Sequence, residues 1–208
     1  MKSTTAAGGC AFLVYDAYFS VPHSRVIFMA LNATIYKCTV HLNDFDRSIF
    51  DSLQLTLALH PSEKPERMLV RLMAYCLHYH ERLEFTKGLS TPETPDIWLK
   101  SLHDTVDLWV DVGEPAAEKI KKACRQATEV WVYSFNTKSD VWWQQSANAY
   151  EPLSAEVRQF DFAAISTLAE QLERTCEMSV SITDSQLTVT MGDRVVELVV
   201  NVLQSQQG

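Results

Sequence analysis

The chain has 208 residues, 47% of them hydrophobic, and a formal net charge of -8. Such a composition supplies the core of one large domain, and its acidic balance excludes a broad basic stripe, leaving only a local patch for any phosphate contact. No uninterrupted apolar run approaches the ~20 residues of a membrane span. The five cysteines (Cys10, Cys38, Cys76, Cys124, Cys176) are odd in number and contain no C-x-x-C pair, which points to reduced thiols in a cytoplasmic protein rather than a disulfide framework or a zinc knuckle.

Residues 1–28 differ in character from the rest, with Ala6-Ala7-Gly8-Gly9-Cys10 followed by a short apolar patch broken by Asp16. A lipoprotein cleavage site is not expected here, because Ser3-Thr4-Thr5 stand where an apolar core of ~7 residues is required. Residues 1–28 are expected to be a disordered extension of the kind an upstream start site would add, and residues 29–208 a single domain opening at Met29. Ala30 to Leu42 and Ser52 to His60 alternate as strands and are expected to pair antiparallel across the Asn43–Arg47 turn, roofing a core. Pro61-Ser62 then starts a helix, with Ser62 as N-cap and Glu63 and Glu66 in the first turn. Met68, Leu69, Leu72, Met73, Cys76 and Leu77 give it a buried stripe. The two glutamates read equally as dipole compensation or as a functional acid. His78 and His80, two apart, suit no single metal on one helix face and read as surface or fraying-end residues. Glu84–Ser90 is extended, Thr91–Pro95 a Pro-rich loop, and Asp96 is expected to begin a short helix holding Ile97, Trp98 and Leu99.

The stretch Thr105–Val112, ended by Gly113-Glu114-Pro115, reads as the central strand. Asp107, Trp109 and Asp111 share one face, and Val106, Leu108, Val110 and Val112 the other. Two carboxylates around an indole repel one another, and a divalent cation or a basic group would compensate them; a solvated edge strand is the plain alternative. A helix over Ala116–Thr128 follows, with a basic flank of Lys119, Lys121, Lys122 and Arg125. Glu129–Phe135 is then a strand parallel to the central one. Trp142 and Trp143 sit on a short helix, as packing residues or as a stacking surface for a base. A strand (Val157–Phe162), a helix (Ala163–Leu172) and three strands (Cys176–Thr183, Gln186–Met191, Arg194–Leu203) complete an α+β fold, a mixed sheet with flanking helices. There is no Gly-rich phosphate loop and no G-x-S-x-G or H-E-x-x-H motif.

The blocks His60-Pro61-Ser62-Glu63-Lys64-Pro65-Glu66-Arg67-Met68, Glu84-Phe85-Thr86-Lys87-Gly88-Leu89, Asp107–Pro115, Ile120–Cys124 and Trp142-Trp143-Gln144-Gln145, in that order, resemble the YaeQ family, and the resemblance runs from Met29 to about Leu203. It implies a variant of the restriction-endonuclease-like PD-(D/E)XK fold, an αβββαβ core with additional antiparallel strands. It implies Glu66, Asp107 and Asp111 as ligands of Mg²⁺, whose hard oxygen preference they meet, with nucleic acid as the partner. The motif lysine is missing, since Gly113 stands in its place. Lys121 is the first substitute, ahead of Lys119 and then Lys87. An active member of that class would use the metal to activate water and neutralise the scissile phosphate, with the lysine steadying the oxyanion. Without the lysine, binding without cleavage is the other reading.

Overall fold

Nine consecutive residues of helix α1 (Pro65–Leu77), Met68 to Cys76, are buried. A surface helix buries one stripe; burying every side of more than two turns requires cover from both directions. A computed structural model, which describes residues 32–86 and 93–205, shows that two sheets provide it. The first contains β1 (Thr34–Asp44), β2 (Ile49–Leu59), β8 (Thr175–Thr183), β9 (Gln186–Met191) and β10 (Arg194–Leu198), in the order β10-β9-β8-β1-β2. The second contains β3 (Leu83–Phe85), β4 (Ile97–Lys100), β5 (Val106–Val112), β6 (Ala127–Ser134), β7 (Glu156–Phe160) and β11 (Val200–Gln204), in the order β11-β7-β6-β5-β4-β3. Core side chains from both sheets, from α1 and from α4 (Phe162–Ala169) form one cluster.

The opposite face of the second sheet carries a smaller core. Trp109, Val130, Val132 and Val157 pack there on Ile120 and Ala123 of α2 (Ala117–Ala123) and on Tyr150 of α3 (Ser139–Tyr150). β5 is therefore covered on both sides, with Leu108, Val110 and Val112 in the larger core and Trp109 in the smaller. The expected alternation holds, whereas the edge-strand alternative does not: β4 pairs antiparallel on one side of β5 and β6 parallel on the other. From α1 the chain runs helix, three strands, helix, strand, with α2 as the crossover between parallel β5 and β6.

Several expectations are corrected. Residues 97–100 are a strand, not a helix, because Ile97 and Trp98 are strand formers already paired with Val110 and Trp109. The helix expected at Ser62 begins at Pro65, whose fixed φ suits a first helical turn; Ser62 Oγ instead contacts His60 Nδ1 at 2.7 Å. The strand expected over Arg194–Leu203 divides at Val199, leaving β10 in one sheet and β11 in the other. The extension over residues 1–28 lies outside the described residues. None of the described helices is long and apolar enough to cross a membrane.

His78 lies at the helix end, one of the two places expected for it, and is half-buried rather than on the surface. It caps α1, its Nε2 lies 2.8 Å from the Tyr133 hydroxyl, and its ring packs edge-on to Trp131. Burial, helped by the charges of Arg47 and Arg158, lowers its pKa from 6.5 to about 3. The unfolded chain accepts a proton that the folded chain refuses, so His78 supports the fold above about pH 6.5 and opposes it as pH falls toward about 3. Urea unfolding between neutral pH and about pH 4 should show this loss. It should be smaller in His78→Gln, which keeps a partner for Tyr133 and does not titrate; an unchanged pH profile in that variant would remove His78 from the account.

Candidate functional site

β5 ends at Val112, and there the strand, the start of α1, the loop before β4 and the start of α2 surround a cavity of about 510 Å³. Ile97 of β4 is opposite Val110 of β5, so continuing this antiparallel register sets Asp96 opposite Asp111. Both are buried, at 3% and 2% exposure, and both line the cavity. Two acids so placed need compensation. Lys119, in the first turn of α2, supplies it to Asp111, with Nζ 2.6 Å from Oδ1, while the Trp109 indole donates to Oδ2 at 3.0 Å. Desolvation still pushes the Asp111 carboxyl above its ordinary value, against the pull of Lys119.

Asp96 is held differently. Arg67 Nη2 donates to both of its oxygens at 2.8 Å, and the Val112 amide donates to Oδ2 at 2.8 Å. The same Arg67 reaches the Val112 carbonyl at 3.1 Å and, through Nη1, Glu63 Oε1 at 2.8 Å. Glu63 is buried just before α1, where Arg71 donates to its Oε2 at 3.0 Å; Arg71 Nε lies 2.9 Å from Oε1, close enough for an ion pair but off hydrogen-bond alignment. Glu114, on the cavity wall, accepts from Asn136 and from Ser139 Oγ.

The residues expected to form the site divide. Asp111 is in the cavity. Asp107 is not: it shares a strand face with Asp111 but lies four residues away, about 13 Å along the strand. Glu66 is half-buried on the first turn of α1 but does not line the cavity; Glu63 and Arg67 of that segment do. Lys121 is exposed on the far side of α2, about 200° around the helix from Lys119. The second-choice lysine is thus the one at the acid, and Lys87 lies outside the described residues. Gly113 has φ +110°, a conformation side chains resist, so the backbone disfavours a lysine where the motif would put it. Trp142 and Trp143 pack against Tyr150. Asp96, read as a helix start, was legible only through Pro95-Asp96 standing before a strand that pairs with the acidic one.

Among the described residues no three His, Cys, Asp or Glu side chains converge as a cation site. Asp111 and Asp96 already hold a cation each, and Glu63 holds two. The residues as folded do not fit Mg²⁺ without displacement of Lys119 or Arg67.

The family model described as YaeQ protein matches residues 29–200. This chain belongs to the YaeQ family. It is 39% identical to the uncharacterized protein YaeQ of Escherichia coli over 181 residues, 86% of this chain and 99% of that protein. The Salmonella typhi protein of the same description is 40% identical over 161 residues, 76% of this chain and 89% of that protein. The crystal structure of YaeQ protein from Pseudomonas syringae superposes with a TM-score of 0.80 at 32% identity, over 85% of this chain and 98% of that one. That from Xanthomonas axonopodis pv. citri gives 0.79 at 33%, over 83% and 99%. Within the family match, the cavity draws its lining from two of the blocks that carry the resemblance, His60–Met68 and Asp107–Pro115.

Removing Lys119 leaves Asp111 buried without its cation, at a cost of about 1–3 kcal/mol near neutral pH. A carboxyl whose folded-state pKa is raised loses stability as pH rises through the window between its unfolded and folded values. Lys119→Met raises that folded value further, so its deficit should shrink as pH falls and should be restored by adding Asp111→Asn. Urea titrations at two pH values check this, and a deficit independent of pH would contradict the pairing.

Proposed function

We propose that this protein binds nucleic acid in the cytoplasm through the cavity at the end of β5, on a restriction-endonuclease-like scaffold of the PD-(D/E)XK type. The supporting observation is the placement of Lys119. The order α1, β3, β4, β5, α2, β6 matches the αβββαβ plan. Within it Asp96, just before β4, lies opposite Asp111 of the adjacent β5, and a lysine from the following helix reaches the second acid. Lys121 and Lys122 stand exposed on α2, and Arg125 on the turn that follows it. They give a phosphate backbone a local basic track on a chain of net charge -8. Because Arg67, Arg71 and Lys119 balance Glu63, Asp96 and Asp111, the cavity repels that backbone less than four bare carboxylates would.

One observation favours a second reading, Mg²⁺-dependent phosphodiester hydrolysis: two acids and a lysine converge. In that reading Asp96 takes the role the sequence assigned to Asp107, and Lys119 that assigned to Lys121. The carboxylates are committed to protein cations, which is why binding without cleavage is preferred.

Fluorescence anisotropy with single- and double-stranded DNA and RNA, in EDTA and then in Mg²⁺ or Mn²⁺, separates the two. Binding is expected in EDTA, weakening with salt, and Lys121→Ala combined with Lys122→Ala should lower the salt slope by about 2. Metal-dependent cleavage abolished by Asp111→Asn would establish the hydrolase instead. Absence of binding to all four polymers would sink the nucleic-acid reading.

A further inference from the structure

We infer that Cys38 and Cys176 form an oxidisable dithiol, a modification site in the sheet remote from the β5 cavity. β1 and β8 are neighbours and run parallel, and in their register Cys38 is opposite Cys176. Both face the core, at 2% and 8% exposure, and their Sγ atoms are 2.8 Å apart. That is within about 0.8 Å of the ~2.05 Å of a disulfide. Paired strands lie about 4.8 Å apart, inside the Cα range of about 4.4–6.8 Å that a disulfide spans, so the bond closes without moving the backbone.

The other thiols are placed differently. Cys76 is buried in α1 and burial pushes its pKa up to about 12. Cys124 is half-exposed and donates to the Ser154 carbonyl at 3.5 Å. Cys176 borders a cavity of about 270 Å³, beside Glu173, Thr175, Glu177 and Gly192, and Cys38 does not line it. A small oxidant therefore meets Cys176 first. The hydrogen bond shared by the two thiols also favours the Cys176 thiolate while holding Cys38 protonated.

With a hydroperoxide as oxidant the atoms balance. The Cys176 thiolate attacks one peroxide oxygen, the O–O bond breaks, and Cys176 becomes a sulfenic acid as the other oxygen leaves and is protonated to water. The Cys38 sulfur then attacks the Cys176 sulfur, the S–O bond breaks, and the departing hydroxide takes the Cys38 proton as a second water. The dithiol has lost two hydrogens and the peroxide is reduced. The product joins residues 138 apart in sequence, and a cross-link over so long a loop constrains the unfolded chain strongly.

The full-length protein is treated with hydrogen peroxide, quenched with catalase, denatured, alkylated and mapped by mass spectrometry. A peptide containing Cys38 joined to one containing Cys176 is expected, with alkylatable thiols falling from five to three, five less the two joined. The loss should be reversed by dithiothreitol, and the melting temperature should rise in the oxidised wild type but not in Cys38→Ser. In Cys38→Ser, dimedone should trap a sulfenic acid at Cys176, whereas Cys176→Ser should leave Cys38 unmodified. Recovery of both cysteines as alkylated thiols after treatment, or cross-links confined to Cys10 and Cys124, would overturn the inference.

Discussion

Arg67 is the residue on which the rest of this structure depends. One guanidinium joins Glu63 before α1, Asp96 before β4 and the Val112 carbonyl at the end of β5. Three segments distant in sequence are fixed at one point, and all three line the cavity. The planar fork of arginine suits this geometry where a lysine would not, since it donates in fixed directions to several acceptors. Its 16% exposure keeps the pairs poorly screened. Removing Arg67 would leave Asp96 buried without a cation and Glu63 with Arg71 alone, so its contribution is to the position of the site as much as to stability.

The second constraint is the double cover of β5. With a core on each face, the strand accommodates charge only near its ends, at half-buried Asp107 and at Asp111, where the sheet stops and α2 begins. Asp111 meets that requirement and finds Lys119. A buried pair of this kind is weak evidence of net stabilisation, because desolvation offsets the attraction. It is better evidence of specificity: it sets the entry of α2 after the Gly113 turn and holds a lysine beside an acid in a cavity open to ligand.

Much of this was legible in the sequence, for physical reasons that also mark where legibility stops. Period-two alternation exposed β1, β2 and β5, and period-3.6 spacing exposed α1, because one side of each meets a core. Asp111 was legible because an acid on an apolar strand is anomalous. Asp107 looked equivalent because alternation reports the face of a strand and not the position along it; two pleats separate a cavity wall from a half-buried flank. Lys121 was preferred to Lys119 because rotational phase on α2 depends on where the helix begins, and Ala116 at the N-cap has no capping side chain to signal it. Asp96 was hidden by the expectation of a helix beginning there, and only pairing across the sheet brings it opposite Asp111.

The family carries this architecture in solved relatives, and the cavity lies where α1, β4, β5 and α2 meet. The account holds that the protein's own cations, not a metal, balance the cavity acids. Anomalous diffraction from crystals soaked in Mn²⁺ tests that most directly. The account predicts no anomalous peak in the cavity, with Lys119 Nζ still on Asp111 and Arg67 still on Asp96. A peak bridging Asp96 and Asp111, with either cation swung away, would contradict it.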